Sequence, residues 1–431
     1  LTVTATDAAN NVSIASGAVS ITVDTTNPGQ PTITTTDTST NDTTPTISGT
    51  AEAGSTINLM SNGSSIGTAT TDISGDFSVT PSSELAEGSY SLTVTATDAA
   101  NNVSDSSNAV AFTIDTTAPG KPTISTSDTT TNNPTPTIVG TADAGSTVKL
   151  FSGSSELGST TANTDGSFTI TSPSLSAQDF VFTVTATDAA GNTSTASDPV
   201  AFTIDTTNPE QPTISTSSTT TNNTTPTIVG TAEINSTINL ISNGSSIGTA
   251  TTDGSGNFSV TPSSELAEGS YSLTVTATDA ANNVSDSSNA VAFTIDTTAP
   301  GKPTISTSDT TTNNPTPTIV GTADAGSTVK LFSGSSELGS TTANTDGSFT
   351  ITSPSLSAQD FVFTVTATDA AGNTSTASDP VAFTIDTTNP EQPTISTSST
   401  TTNNTTPTIV GTAEAGSTVK LFNGSTELGS T

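Results

Sequence analysis

The stretch Thr183-Val184-Thr185-Ala186-Thr187-Asp188-Ala189-Ala190-Gly191-Asn192-Thr193-Ser194 decides how the chain is read. Val184 and Ala186 alternate with threonines, the period-2 pattern of a half-buried strand. Threonine and valine are β-branched and favour a pleated backbone. The run stops at Asp188, and Gly191-Asn192 turns the chain. Near-copies of this strand end at Asp7, Asp98, Asp279 and Asp369. One strand type with one terminal acid therefore recurs along the whole sequence.

A second marker gives the period. Asp-Thr-Thr begins at Asp24, Asp115, Asp205, Asp296 and Asp386, steps of 91, 90, 91 and 90 residues. Two repeat types alternate, and residues 77–233 reappear unchanged at 258–414. Repetition at fixed spacing marks a tandem array. The markers divide the chain into complete repeats at 25–115, 116–205, 206–296 and 297–386. Partial repeats occupy 1–24 and 387–431. The chain opens in mid-strand and stops in mid-repeat, which reads as a window on a longer protein.

Within 25–115 seven strand-like runs succeed one another. They are Pro31–Thr35, TPTISGTA (44–51), STINLM (55–60), SSIGTATT (64–71), FSVTP (77–81), YSLTVTATD (90–98) and NAVAFTID (108–115). Asn62-Gly63 is a strong hairpin dipeptide. Seven short strands in about 90 residues predict an immunoglobulin-like β-sandwich, so the fold class is all-β, with domains following end to end. Ile47, Ile57, Leu59, Phe77, Val79, Leu92, Val94, Val110, Phe112 and Ile114 are the expected core. Tyr90 stands where a tyrosine corner would form, and the other repeat type has Phe180 there.

Composition narrows the function. There are 39 acids against five lysines, no histidine and no cysteine, for a formal net charge of −34. Nucleic acid and anionic membrane surfaces are poor partners for such a chain. Disulfides and thiolate metal sites are excluded, and no apolar run is long enough for membrane insertion. The commonest general base and the thiol nucleophile are missing, which argues against catalysis. Without tryptophan, and with two tyrosines, the chain offers no sugar-stacking platform.

The patterns TPTI-x-GTA(E/D), TVTATDAAGN and VAFTIDTTAP resemble bacterial immunoglobulin-like repeats. These form the stalks of giant surface adhesins exported by type I secretion, including biofilm-associated proteins. The resemblance covers the whole chain. It implies an extracellular, non-enzymatic stalk whose partners are neighbouring repeats, with an adhesive tip and a cell anchor outside this segment. It also implies calcium at domain junctions.

The residues point the same way. With strands alternating in direction, the loops at a repeat's N-terminal end meet the last residue of the repeat before it. Asp24, Glu52, Asp98 and Asn102 are expected to converge there. The next sets are Asp115, Asp143, Asp188 and Asn192; Asp205, Glu233, Asp279 and Asn283; and Asp296, Asp324, Asp369 and Asn373. Asp386 and Glu414 begin a fifth. Converging carboxylates repel unless they share a cation. Calcium takes six to eight hard oxygens of this kind. An isolated strand-end Asp would instead be read as a loop cap. Two alternatives to a calcium-stiffened stalk remain: a filament whose repeats associate sideways, and a spacer array in a secreted polysaccharide-acting enzyme.

Overall fold

The computed structural model describes residues 1–431, and they contain strands, turns and no helix. Contacts divide the chain into two compact units, Leu1–Asn208 with Ala280–Asn283, and Pro209–Asp279 with Val284–Thr431. The first unit holds the repeats 25–115 and 116–205. Nearly all of 206–296, and 297–386, belong to the second.

The repeat 25–115 contains β1 (Thr32–Ile33), β2 (Thr38–Thr40), β3 (Ile47–Thr50), β4 (Thr56–Ser61), β5 (Ser64–Thr70), β6 (Asp76–Val79), β7 (Gly88–Thr97) and β8 (Val110–Ile114). One sheet has the order β1-β3-β6 and the other β2-β8-β7-β4-β5. The other three complete repeats have the same two sheets. All pairings are antiparallel except one: β2 runs parallel to β8, with Thr38, Ser39 and Thr40 opposite Phe112, Thr113 and Ile114. The leading strand thus crosses from one sheet to the other, and a repeat has eight strands where the sequence pattern shows seven. β2 reads Thr-Ser-Thr. It has no apolar alternation to betray it, because it joins the sheet through backbone hydrogen bonds alone.

The core forms where the sheets face each other. All ten expected core residues of this repeat are buried, and each complete repeat has its own cluster. Phe112, Phe202 and Phe293 point inward with Ile114, Ile204 and Ile295, since residues two apart in a strand share a face. Gly49 is required in β3: a Cβ there would lie 2.6 Å from the Phe77 ring and 2.0 Å from the Thr32 carbonyl oxygen. The β4–β5 hairpin turns through Asn62 and Gly63 at φ of 52° and 78°, the primed geometry that Asn-Gly favours. The Tyr90 hydroxyl donates to the Ala86 carbonyl at 2.9 Å, closing the corner, and Tyr271 does the same to Ala267. Phe180 stacks on Phe182 instead, with centroids 5.7 Å apart.

Beyond β7 the chain doubles back beside it without forming a strand of its own. Ser104 and Ser107 are buried there, and their hydroxyls accept from the Ala96 and Val94 amides at 2.9 and 3.0 Å. Their own amides donate to the Ala96 and Val94 carbonyls. Side-chain oxygens replace a missing ladder partner, and the loop from Asp98 to Asn102 is fixed from both sides.

Candidate functional site: the junction between repeats

Each complete repeat ends on an aspartate whose backbone is held by β2 or its counterpart. The Asp115 amide donates to the Thr40 carbonyl at 3.0 Å, extending the β2–β8 ladder by one residue. The Asp115 carboxylate then accepts the Thr117 amide at 3.0 Å, which sets the direction of the linker. Asp24, Asp205, Asp296 and Asp386 accept in the same way from Thr26, Thr207, Thr298 and Thr388. Glu87 takes both linker hydroxyls, Thr116 and Thr117, at 3.0 and 2.9 Å. Those two bonds, Thr117's first, hold its carboxyl below the usual carboxylate range.

On the other side of the junction, the loop that follows the long strand is organised by its first residue. In the repeat 116–205 that strand is Gln178–Thr187. One Asp188 oxygen accepts the Asn192 amide at 2.9 Å, and the other accepts the Asn192 side-chain nitrogen, also at 2.9 Å. Burial pushes the Asp188 carboxyl up, but the bonds from the Asn192 side chain and the backbone amides outweigh it, and the net displacement is downward. Asp369 follows the same balance. For Asp98 the Asn102 side-chain bond comes first, and the carboxyl again lies below its ordinary value. The position before the final Asn needs positive φ, which Gly191 (95°) and Gly372 (96°) supply in one repeat type and Asn101 (68°) in the other.

The final Asn reaches across the junction. The Asn192 side-chain nitrogen donates to the Asp115 carbonyl at 2.8 Å, and Asn192 is buried. Asn102 does the same to Asp24, Asn283 to Asp205 and Asn373 to Asp296, at 3.1, 2.9 and 2.8 Å. The amide face turned toward the preceding repeat is therefore a donor.

The expected carboxylates are placed as follows. Asp24, Glu52 and Asp98 line one cleft of about 530 Å3 at the N-terminal end of the repeat 25–115. The Glu52 carbonyl accepts the Thr71 and Ser55 hydroxyls, which pins that loop. Asp143 and Asp324 accept the linker amides of Gly120 and Gly301 at 2.9 Å, and Glu414 accepts that of Glu391 at 3.2 Å. Glu233 shares a smaller cleft with Glu210, within the second unit. No three carboxylates stand close enough together to hold a metal ion. The carboxylates of Asp24, Asp98, Asp115, Asp143, Asp188, Asp324 and Asp369 each accept hydrogen bonds there.

Sequence reasoning missed Asn41 and Asn222. The Asn41 amide donates to the Ala190 carbonyl and that of Asn222 to Ala371, both at 3.0 Å. Their only signal was the turn that follows a strand which itself left no pattern.

The bacterial Ig-like domain family matches at residues 29–116, 120–206, 209–297 and 301–387. The chain belongs to that family. No curated protein matches it. Among solved structures it is similar to a tetra-tandem repeat from the extending region of a large adhesion protein. That likeness has 24% identity and a TM-score of 0.29, and covers 84% of this chain and all of the other. A biofilm-associated protein domain is 15% identical over 87% of this chain and all of its own, with a TM-score of 0.18. Fibronectin(III)-like modules of Clostridium thermocellum CbhA are 17% identical over 40% of this chain and 93% of theirs, with a TM-score of 0.30.

Proposed function

We propose that this array of bacterial Ig-like domains is part of an extracellular stalk that holds an adhesive tip away from a bacterial cell, and that calcium at its junctions stiffens it. The stalk role is non-enzymatic: the repeated element is the joint, and an array built by copying one joint gains length with each copy. The high negative charge supports an exposed, soluble filament over sideways association, because like-charged surfaces repel at short range.

One observation carries the calcium reading: Asp24, Glu52 and Asp98, from three distant parts of the chain, line a single cleft. Carboxylates and backbone carbonyls are the hard oxygens that calcium prefers, and the chain has no histidine or cysteine to favour a softer metal. Asp24, Glu52 and Asp98 would hold the ion at that junction. Asp115, Asp143 and Asp188 would do so at the next, and Asp296, Asp324 and Asp369 within the second unit. Bound calcium would supply the charge that lets the carboxylates draw together.

Isothermal titration of calcium chloride into the chelator-treated chain tests this, alongside small-angle scattering with and without the ion. A ligand present at 100 times its dissociation constant adds about 2.7 kcal/mol to a state that alone binds it. Calcium should therefore raise the melting temperature and lengthen the maximum dimension. Replacing Asp98, Asp188 and Asp369 by Asn should diminish both effects. No binding heat at millimolar calcium, with identical scattering in both conditions, would exclude the calcium-stiffened joint.

A further inference from the structure

The hydrogen bonds at the junction close on themselves. Thr40 and Asn41 are the last residue of β2 and the one after it, and Asp115 follows β8. The Thr40 carbonyl accepts from the Asp115 amide, the Asp115 carbonyl accepts from the Asn192 side chain, and the Ala190 carbonyl accepts from the Asn41 amide. Two neighbouring strand ends of one repeat are thus gripped by one loop of the next. The second unit reproduces the arrangement with Asn222, Asp296, Ala371 and Asn373, at the same distances to within 0.1 Å. Burial agrees. Ala190 is 7% exposed and Ala371 8%, whereas Ala100 is exposed in the first repeat, where the chain has no counterpart of Asn41.

We propose that this loop is a latch for the preceding repeat that closes without metal, and that Asn192 is its positioning residue. Every group in it is a neutral backbone or amide partner except Asp188, which orients Asn192. Asp115 enters through its carbonyl, so the latch is indifferent to the side chain at that position. Asn192 enters through its nitrogen, which leaves its Oδ1 free of the latch. The two layers of the joint make different demands on residue 192. Calcium would be served at least as well by a carboxylate there as by an amide, while the latch loses its donor and places an anion against Asp188 and the Asp115 carbonyl. This proposal stands apart from the calcium reading: either can fail while the other holds.

The test is hydrogen exchange on the full chain, comparing wild type with Asn192→Asp in chelator and in calcium chloride. Exchange is read at the peptide covering Asn41, whose sequence Ser39-Thr40-Asn41-Asp42 occurs once in the chain. The Asn41 amide should be protected in wild type even in chelator. The substitution should make it exchange roughly tenfold faster, equivalent to about 1.4 kcal/mol, with or without calcium. Equal protection in the two proteins in chelator would overturn the latch. So would loss of wild-type protection on chelation, or restoration of the variant by calcium, since either makes the metal the closing element. Core peptides of 116–205 are shared with the copy 297–386, so an unfolded repeat would appear as a fast-exchanging half of their signal. In that event Asn192→Ala, which removes the donor without adding charge, is held to the same criteria.

Discussion

Phe182→Ala should unfold one repeat early and leave its neighbours intact. Phe182 is fully buried and central to its cluster. Its ring centroid lies 5.7 Å from Phe180 and 5.1 Å from Phe202. Truncating a buried phenylalanine costs about 3–5 kcal/mol, the transfer of the ring plus the cavity it leaves. Two aromatic contacts go with it, each adding about 0.5–1.5 kcal/mol beyond the area it buries, so the upper half of that range is expected. A domain of this size has roughly 5–15 kcal/mol to lose. At about 4–8 °C per kcal/mol, its transition should fall by roughly 16–40 °C. Scanning calorimetry of the full chain should then show a separated low-temperature transition carrying about 60 kcal/mol, the enthalpy expected of about 90 residues. The remaining repeats should keep the wild-type midpoint, because each has its own core. A shift of the whole endotherm would mean that the repeats share one cooperative core. A displacement under about 5 °C would mean that Phe182 does not carry the packing assigned to it. Either result refutes the reasoning.

Gly49→Ala should destabilise the repeat 25–115 by about 1–3 kcal/mol, since the new methyl collides with the Phe77 ring and the Thr32 carbonyl. Urea unfolding reads this, and a neutral effect would mean that β1, β3 and β6 pack more loosely than described. The strand-end acids predict a pH dependence. Asp98, Asp188 and Asp369 all have folded values below their ordinary ones. Their contribution is therefore fully present above the unfolded carboxylate value of about 4, and is lost as pH falls through the lower folded value. Melting temperature in chelator should be flat from neutral pH to about 5 and fall below about 4. The triple Asp→Asn variant should show a shallower fall, and an unchanged profile would exclude these groups as its source.

Much of the fold was legible because its causes are local. The alternation through Val184 and Ala186 marks a strand with one dry face, and Asn62-Gly63 turns a hairpin because only such residues take two successive positive φ angles cheaply. The candidate site was legible only in outline. Asp24, Glu52 and Asp98 line one cleft, but which atoms meet there is a matter of ångströms. Asn192 presents its side-chain nitrogen to the preceding repeat. A sequence does not distinguish the two ends of an amide, because the choice is made by the acceptors around it.

By itself the sequence determined the 90-residue period, the sandwich, the ten core residues expected of the repeat 25–115 and the recurrence of an acid after the long strand and after the last strand. These follow from burial and backbone preference, which each residue expresses wherever its neighbours are alike. The tertiary structure alone decided that Thr38–Thr40 crosses to the second sheet and runs parallel to β8. That crossing sets Asn41 beside Asp115, and so creates the surface that the next repeat's loop grips. Its physical basis is the backbone hydrogen bond, which any residue but proline can donate and which therefore leaves no mark in the order of side chains.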